Sequence, residues 1–176
     1  MCIDVFRAAG APDAEAIARL VNAAYRPVPG DAGWTHEADL VSGHRTTAAQ
    51  VLDAVDRPDS VVFVALRDAE IVACVHVEKH DDDSHIGMLA VHPQRQAAGL
   101  GKHMLALAED HAVMHFGAQR CLLAVLSARQ ELIAFYLRRG YRKTGQVMDY
   151  PLDAGFGTPR QADLHVVLLA KCHATD

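Results

Sequence analysis

The sequence predicts an α/β (α+β) fold: a mixed, mostly antiparallel central sheet of about seven strands flanked by about four helices. Three observations point to it. Apolar, β-branched runs at 60–68, 70–80 and 85–91 follow one another with only short polar turns between them, as in an antiparallel meander. Apolar stripes at helical spacing occupy the segments before and after that meander. A strand-like run also enters a glycine-bearing loop, "VHPQRQAAGLGKHM" (91–104), and a helical pattern leaves it.

The elements follow in order. "IDVFRAA" (3–9) reads as a first strand and "APDAEAIARLVNAAYR" (11–26) as a helix. Pro12 suits its first turn, Asp13 and Glu15 its positive end, and Ile17, Leu20, Val21 and Ala24 form its apolar stripe. A Pro/Gly loop (27–34) leads into a second helical region over 36–56, broken near Ser42-Gly43 and stronger in its later half. After the meander, a helix over 99–116 carries Leu100, Met104, Leu107 and Ala108 on one side. "RCLLAVL" (120–126) reads as a strand buried on both faces, and 130–139 as a short helix stopped by Gly140. Two late strands lie near 142–150 and 163–170, split by "DAGFGTPR".

The chain has 176 residues, enough for a single domain spanning 1–176, with no internal repeat or linker suggesting a second. Net charge is −5, which argues against a nucleic-acid partner held by bulk electrostatics. Asp4 and Arg7 interrupt the N-terminal run, which is therefore not read as a signal peptide, and "LHVVLLA" (164–170) is far too short to cross a bilayer. A cytoplasmic location without membrane partners is expected, in a bacterium if the Ala-rich composition is a guide. Cys2, Cys74, Cys121 and Cys172 form no CxxC pair and read as free, buried core thiols rather than as disulfides or zinc ligands.

The glycine loop is the informative stretch. A helix start leaves about four N–H groups unpaired and carries partial positive charge, so it binds anions where the backbone can come close. Gly99 and Gly101 leave that approach open, Ala97 and Ala98 nearly so, and Lys102 adds charge. The alternative is a tight turn whose glycines serve only packing. The loop lacks the GK[ST] ending of a P-loop and the three-glycine spacing of a dinucleotide fingerprint.

"LAVHPQRQAAGLGKHML" resembles the acetyl-CoA-binding signature of the GNAT superfamily of N-acetyltransferases, in which a V-x-P strand end precedes Q/R-x-x-G-x-G/A; Val91, Pro93, Gln96, Gly99 and Gly101 supply it. "ELIAFYLRRGY" (131–141) is similar to the family's second signature through Tyr136, Gly140 and Tyr141, with Leu132 where Ala is common. The resemblance covers essentially the whole chain and implies acetyl transfer from acetyl-CoA, the cosubstrate, to an amine. It implies a pyrophosphate cradle made by Gln96, Ala97, Ala98, Gly99, Leu100, Gly101 and Lys102. It also implies a splay between strands 85–91 and 120–126, where Leu89, Ala90 and Val91 offer open backbone to the pantetheine arm. Arg129 stands where many relatives carry Asn; it either replaces that contact or reaches a phosphate.

Tyr136 is the candidate general acid for the departing thiolate, against the alternative of a core tyrosine. For the base, a turn at 81–84 pairing residues 80 and 85 would set Glu78 opposite Gly87 and gather His76, Glu78, His80 and His85 on one face. Glu78 and His85 are then the candidates; a solvated hairpin is the equal alternative, and a metal site there is the less favoured one, so no metal is expected. Tyr25, Trp34, His36 and Glu37 lie around the first helix–helix loop, which in this family often borders the acceptor pocket; Tyr25, Trp34 and His36 are the substrate-side candidates, and Trp34 reads equally as a hydrophobic plug. The expected activity is acetylation of a small-molecule primary amine by a monomer or homodimer. The alternatives are a protein Nα- or lysine acetyltransferase, or a non-catalytic acyl-CoA-binding regulatory module.

Overall fold

The computed structural model describes residues 5–173. Strand β1 (Val5–Ala8) leads through a 3-10 turn at Ala11–Asp13 into α1 (Ala14–Tyr25); positions 3 and 4 of the expected strand lie outside the described residues. Asp13 accepts a hydrogen bond from the Gly10 N–H (2.9 Å) and pairs with Arg7 (2.7 Å), fixing the entry to α1. The stripe of α1 is buried as its spacing requires, with Ile17, Leu20, Val21 and Ala24 in the core.

The second helical region is shorter than its pattern suggested. Residues 36–47 form turns and the two-residue strand β2 (Val41–Ser42), and only α2 (Ala48–Asp56) is helical. Gly43 at φ +86° ends any helical path there. The helix starts instead at Thr47, whose Oγ1 accepts from the Gln50 N–H (3.2 Å) while Gln50 Oε1 accepts from the Thr47 N–H (3.0 Å).

The meander is β3 (Ser60–Arg67), β4 (Glu70–His80) and β5 (Asp83–Val91). Its second turn is tighter than expected. Asp81 takes φ +55°, a two-residue turn closes, and His80 faces Asp83. The register is therefore two residues from the one expected: Glu78 faces His85, and Gly87 faces His76. An even slip keeps the same residues on the same face. Further along, a bulge between Cys74 and His76, with Met88 at φ +46°, shifts the pairing so that Cys74 faces Ala90.

After β5 come α3 (Leu100–Phe116), β6 (Arg120–Leu126), α4 (Gln130–Leu137), β7 (Arg142–Asp149), β8 (Thr158–Pro159) and β9 (His165–Cys172). The seven-stranded sheet has the order β1-β3-β4-β5-β6-β9-β7, and β9 enters between β6 and β7. Among the described strands only β5 and β6 run parallel, pairing at Asp83/Arg120, Ser84/Cys121 and His85/Leu122. Beyond His85 the two strands part, which is the splay the resemblance implied. Strand β6 is not buried throughout: Ala124 faces the resulting gap.

Helices cover both faces of the sheet. Met104, Leu105 and Ala108 of α3 pack with Val75, Val77 and Leu123 on one side. Ile17 and Val21 of α1 and Val51 of α2 pack with Val62, Val64 and Cys74 on the other. Within α3, Glu109 is buried because it is fully bonded: it accepts from the Tyr141 hydroxyl (2.9 Å) and from Lys171 Nζ (2.6 Å). Cys74 and Cys121 are free, buried thiols, and burial pushes both up to about 12. Cys172 is free but exposed rather than in the core, and Cys2 lies outside the described residues. No helix among the described residues is long and apolar enough to cross a membrane.

Candidate active site

The gap between β5 and β6 opens into two cavities. One, of about 360 Å³, lies at the start of α3; the other, of about 240 Å³, lies on the far side of Tyr136. Tyr25, Leu89, Arg129, Leu132 and Tyr136 line both and form the neck between them.

The first cavity is shaped by the loop after β5. Pro93–Arg95 make one 3-10 turn, and the chain then takes φ +68° at Ala97 and φ +80° at Gly99 before α3 begins. A Cβ added at Gly99 would meet nothing within 4 Å, so a side chain there would project into open space in front of the α3 N–H groups. A Cβ at Gly101 would touch Val91 (3.6 Å) and Phe135 (3.9 Å) in ordinary contact. The two glycines therefore differ: Gly99 supplies a left-handed turn and an open cradle, whereas the space at Gly101 would accept a methyl group. Lys102, Arg138 and Arg139 bring positive charge to this cavity. The Arg139 guanidinium lies 3.5 Å from the centroid of the Phe135 ring, and burial, then the Arg138 charge, lowers its pKa. An open cradle at a helix start, rimmed by cations, fits a pyrophosphate, and the unpaired stretch of β5 beside it fits an amide-bearing arm.

The Gln96 side chain is engaged within the protein. Its Oε1 accepts from the Trp34 N–H (2.9 Å) and its Nε2 donates to the Val91 carbonyl (3.1 Å), clasping the 27–40 loop to the end of β5. A Cβ at Gly33 would overlap that amide, which explains the glycine there. Trp34 is 47% exposed, tilted against Phe135 at 6.1 Å, and lines the first cavity rather than plugging the acceptor side. His36 lines neither cavity; its Nδ1 accepts from the Ala38 N–H (3.3 Å).

Tyr136 is 4% exposed, and its ring meets Phe135 and Tyr141 edge-on. Burial, with Tyr25 beside it, pushes its phenol well up, so the proton stays on the oxygen through the neutral range. Arg129 is buried too. Its Nη2 donates to Thr35 Oγ1 (2.8 Å) and its Nη1 lies 3.5 Å from Glu37 Oε2, so both Nη groups turn to the 27–40 loop, while Nε, 3.9 Å from Glu131, is left without a hydrogen bond.

Glu78 and His85 line neither cavity. Glu78 is tied to Arg57 at 2.8 Å, and the exposed His85 lies 5.2 Å from the His80 ring. Burial, then the His80 charge, holds the His85 pKa below its usual value. Among the described residues, no group of three or more His, Cys, Asp or Glu could hold a metal.

The second cavity depends on a hub that the sequence did not announce. Arg26 Nη2 and Nε both donate to Glu37 Oε1 (2.6 and 2.9 Å), Nη1 donates to the Gly43 carbonyl (2.8 Å), and Nη2 also donates to the Phe156 carbonyl (2.7 Å). This buried pair ties the end of α1 to β2 and β8, which themselves pair across Val41/Pro159 and Ser42/Thr158. Glu37, Arg45, Tyr150 and Phe156 line the cavity as a result. The sequence placed Glu37 near the acceptor side, but no local pattern marks Arg45, Tyr150 or Phe156; contacts across the fold bring them together.

The family model described as "Acetyltransferase (GNAT) family" matches residues 16–141. No curated protein matches the chain significantly. Among solved structures, the ribosomal-protein-S18-alanine N-acetyltransferase of Escherichia coli is similar, with a TM-score of 0.70 and 14% identity, covering 98% of this chain and 95% of that one. The PaiA N-acetyltransferase of Thermoplasma acidophilum, solved with coenzyme A, gives a TM-score of 0.73 and 16% identity over 98% and 100% of the two chains. A GNAT family acetyltransferase of Elizabethkingia anophelis, solved with acetyl-CoA, gives 0.62 and 16% over 96% and 97%. The chain belongs to the GNAT acetyltransferase family.

Proposed function

We propose that this family member is a single-domain, acetyl-CoA-dependent N-acetyltransferase acting on the primary amine of a small molecule. The observation that carries the reading is the position of Tyr136 in the neck between an open, cation-rimmed cradle and a second, smaller cavity. The cradle at 96–102 would hold the pyrophosphate, and Leu89, Ala90 and Val91 would pair with the pantetheine amides. Acetyl-CoA would supply the acetyl group as a thioester.

The amine nitrogen bonds to the acetyl carbon, the carbon–sulfur bond breaks, and Tyr136 gives its proton to the sulfur. Burial keeps the phenol protonated through the neutral range but also weakens it as an acid; the Arg129 and Arg139 charges act the other way and would stabilise the phenolate until a proton returns from water. The amine must lose a proton as well. His85 is the acceptor we assign, through water, because it shares a strand face with Gly87 at the second cavity and its lowered pKa keeps the imidazole neutral. Glu78 is the weaker candidate, since Arg57 engages its carboxylate. The size of the second cavity, about 240 Å³, favours a small acceptor over a protein chain.

Thiol release from acetyl-CoA across a panel of amines tests the reading. Tyr136→Phe keeps the ring and should lower turnover at least about tenfold, with CoA affinity little changed. A fully active Phe variant removes the acid role. Binding of CoA without thiol release for any amine would leave a regulatory module, and release only with peptides would point to a protein acetyltransferase.

A further inference from the structure

The second cavity holds a cation, Arg45, that no carboxylate among the described residues pairs with. Its walls are apolar, with Ile86, Leu126, Met148 and Val166, and Arg45 enters it from the loop before α2. The Arg45 N–H is held by Asn22 Oδ1 (2.7 Å), and the guanidinium lies 4.3 Å from the centroid of the Phe156 ring and 5.3 Å from that of Tyr25. Among the described residues, no carboxylate lies within ion-pair distance of it. The cavity's inner carboxylate is already engaged: Glu37 accepts two hydrogen bonds from Arg26 and lies against Arg129. The other lining carboxylate, Asp149, has a fully exposed side chain at the rim and sits 3.6 Å from His165. Arg26, Arg45 and Arg129 therefore face one inner negative charge.

We propose that the acceptor carries a carboxylate as well as its amine, and that Arg45 binds that carboxylate: the substrate is a small amino acid-like molecule with an apolar side group. A guanidinium with its faces against rings keeps its edges free, and those edges match a carboxylate with two parallel hydrogen bonds. The phosphates of CoA do not account for Arg45, because it lines the second cavity and not the cradle. Tyr25 touches both Arg45 and the neck, so a carboxylate anchored at Arg45 leaves the amine directed past one ring toward Tyr136. The apolar walls take the side group.

The reaction named here rests on the acetyltransferase reading; the binding preference rests on the cavity alone. Two matched sets separate them: leucine, leucinamide and isopentylamine, and phenylalanine, phenylalaninamide and phenethylamine. Each is titrated into the CoA-bound protein by calorimetry and assayed for thiol release from acetyl-CoA. At least one free amino acid should bind about tenfold or more tightly than its amide and its decarboxylated amine, as a lost charge-assisted bond implies. Arg45→Met should erase that difference while CoA binding persists, and Arg45→Lys should keep part of it. Equal or weaker binding of both amino acids to the parent protein overturns the inference without recourse to any variant. So does a preference that survives in Arg45→Met. Selective binding without thiol release would sink the acetyltransferase reading and leave the carboxylate site standing.

Discussion

The cofactor side of the gap draws its cradle from one continuous stretch, 89–102, with Phe135 and Tyr136 added from α4, Arg139 from the turn after it, and Trp34 from the 27–40 loop that Gln96 clasps. The acceptor side is assembled from distant segments: the Arg26 bond to Phe156 spans 130 residues, and the Gln50 bond to Ala154 spans 104. The first is a matter of backbone conformation, settled by small residues at a helix start. The second is held by a few buried or half-buried polar contacts, and the buried Arg26–Glu37 pair stabilises only because both partners are engaged. Substitutions should therefore act locally on one side and collectively on the other.

The largest effect is expected at the hub. Arg26→Met leaves the buried Glu37 with only the longer contact to Arg129 and removes one of the ties on the 150–160 loop, its bond to the Phe156 carbonyl. A loss of about 3–5 kcal/mol in urea unfolding is expected, with the CoA affinity of the folded fraction retained. An equal collapse of CoA binding would show that the two sides are one frame. Next comes Gly99→Val, which puts a branched side chain at φ +80° and into the cradle. Calorimetry should show CoA binding weakened about tenfold or more, or 1.4 kcal/mol, while Gly101→Ala, whose Cβ finds only ordinary contacts, changes it less. The reverse order would misplace the cradle. The smallest effect is expected at His85. Its pKa lies below about 6.5, and only the neutral ring accepts a proton, so turnover should persist as pH falls below that value and decline through the lowered pKa. His85→Gln should remove that acid limb and, because the proton passes through water, cost about tenfold in rate, below the roughly 10²–10⁴-fold typical of a directly placed base. An unchanged pH–rate curve ends the assignment.

The same division explains what could be read in advance. The meander, the 99–116 helix, the Gly99 turn and Tyr136 are visible because each follows from neighbouring residues. The hairpin register was two residues off because any Asp of "DDD" suits a turn and only the closed ladder selects Asp81. Residues 36–47 carry enough helical spacing to mislead, yet Glu37 and Gly43 serve Arg26, a partner that no window of sequence contains. Trp34 reads from its loop as either a substrate-side residue or a plug; the Gln96 clasp instead holds its backbone and leaves its ring half outside, against the first cavity. Arg45 and Phe156 had no signal at all, being 111 positions apart and joined only by a guanidinium over a ring.

The place of β9 has a consequence in time. In the sheet β9 lies between β6 and β7, yet it follows β7 in the chain. Strand β7 therefore emerges before its only neighbour in the sheet exists, and the outer edge of β6 stays unpaired until residues 165–172 arrive. Such non-local pairing is slow, because the loop must close before any contact rewards it. On these grounds the meander with α1 and α3 is expected to fold first. The wall of the acceptor cavity carrying Met148 and Val166 is completed last, so growing chains expose an apolar strand edge during synthesis.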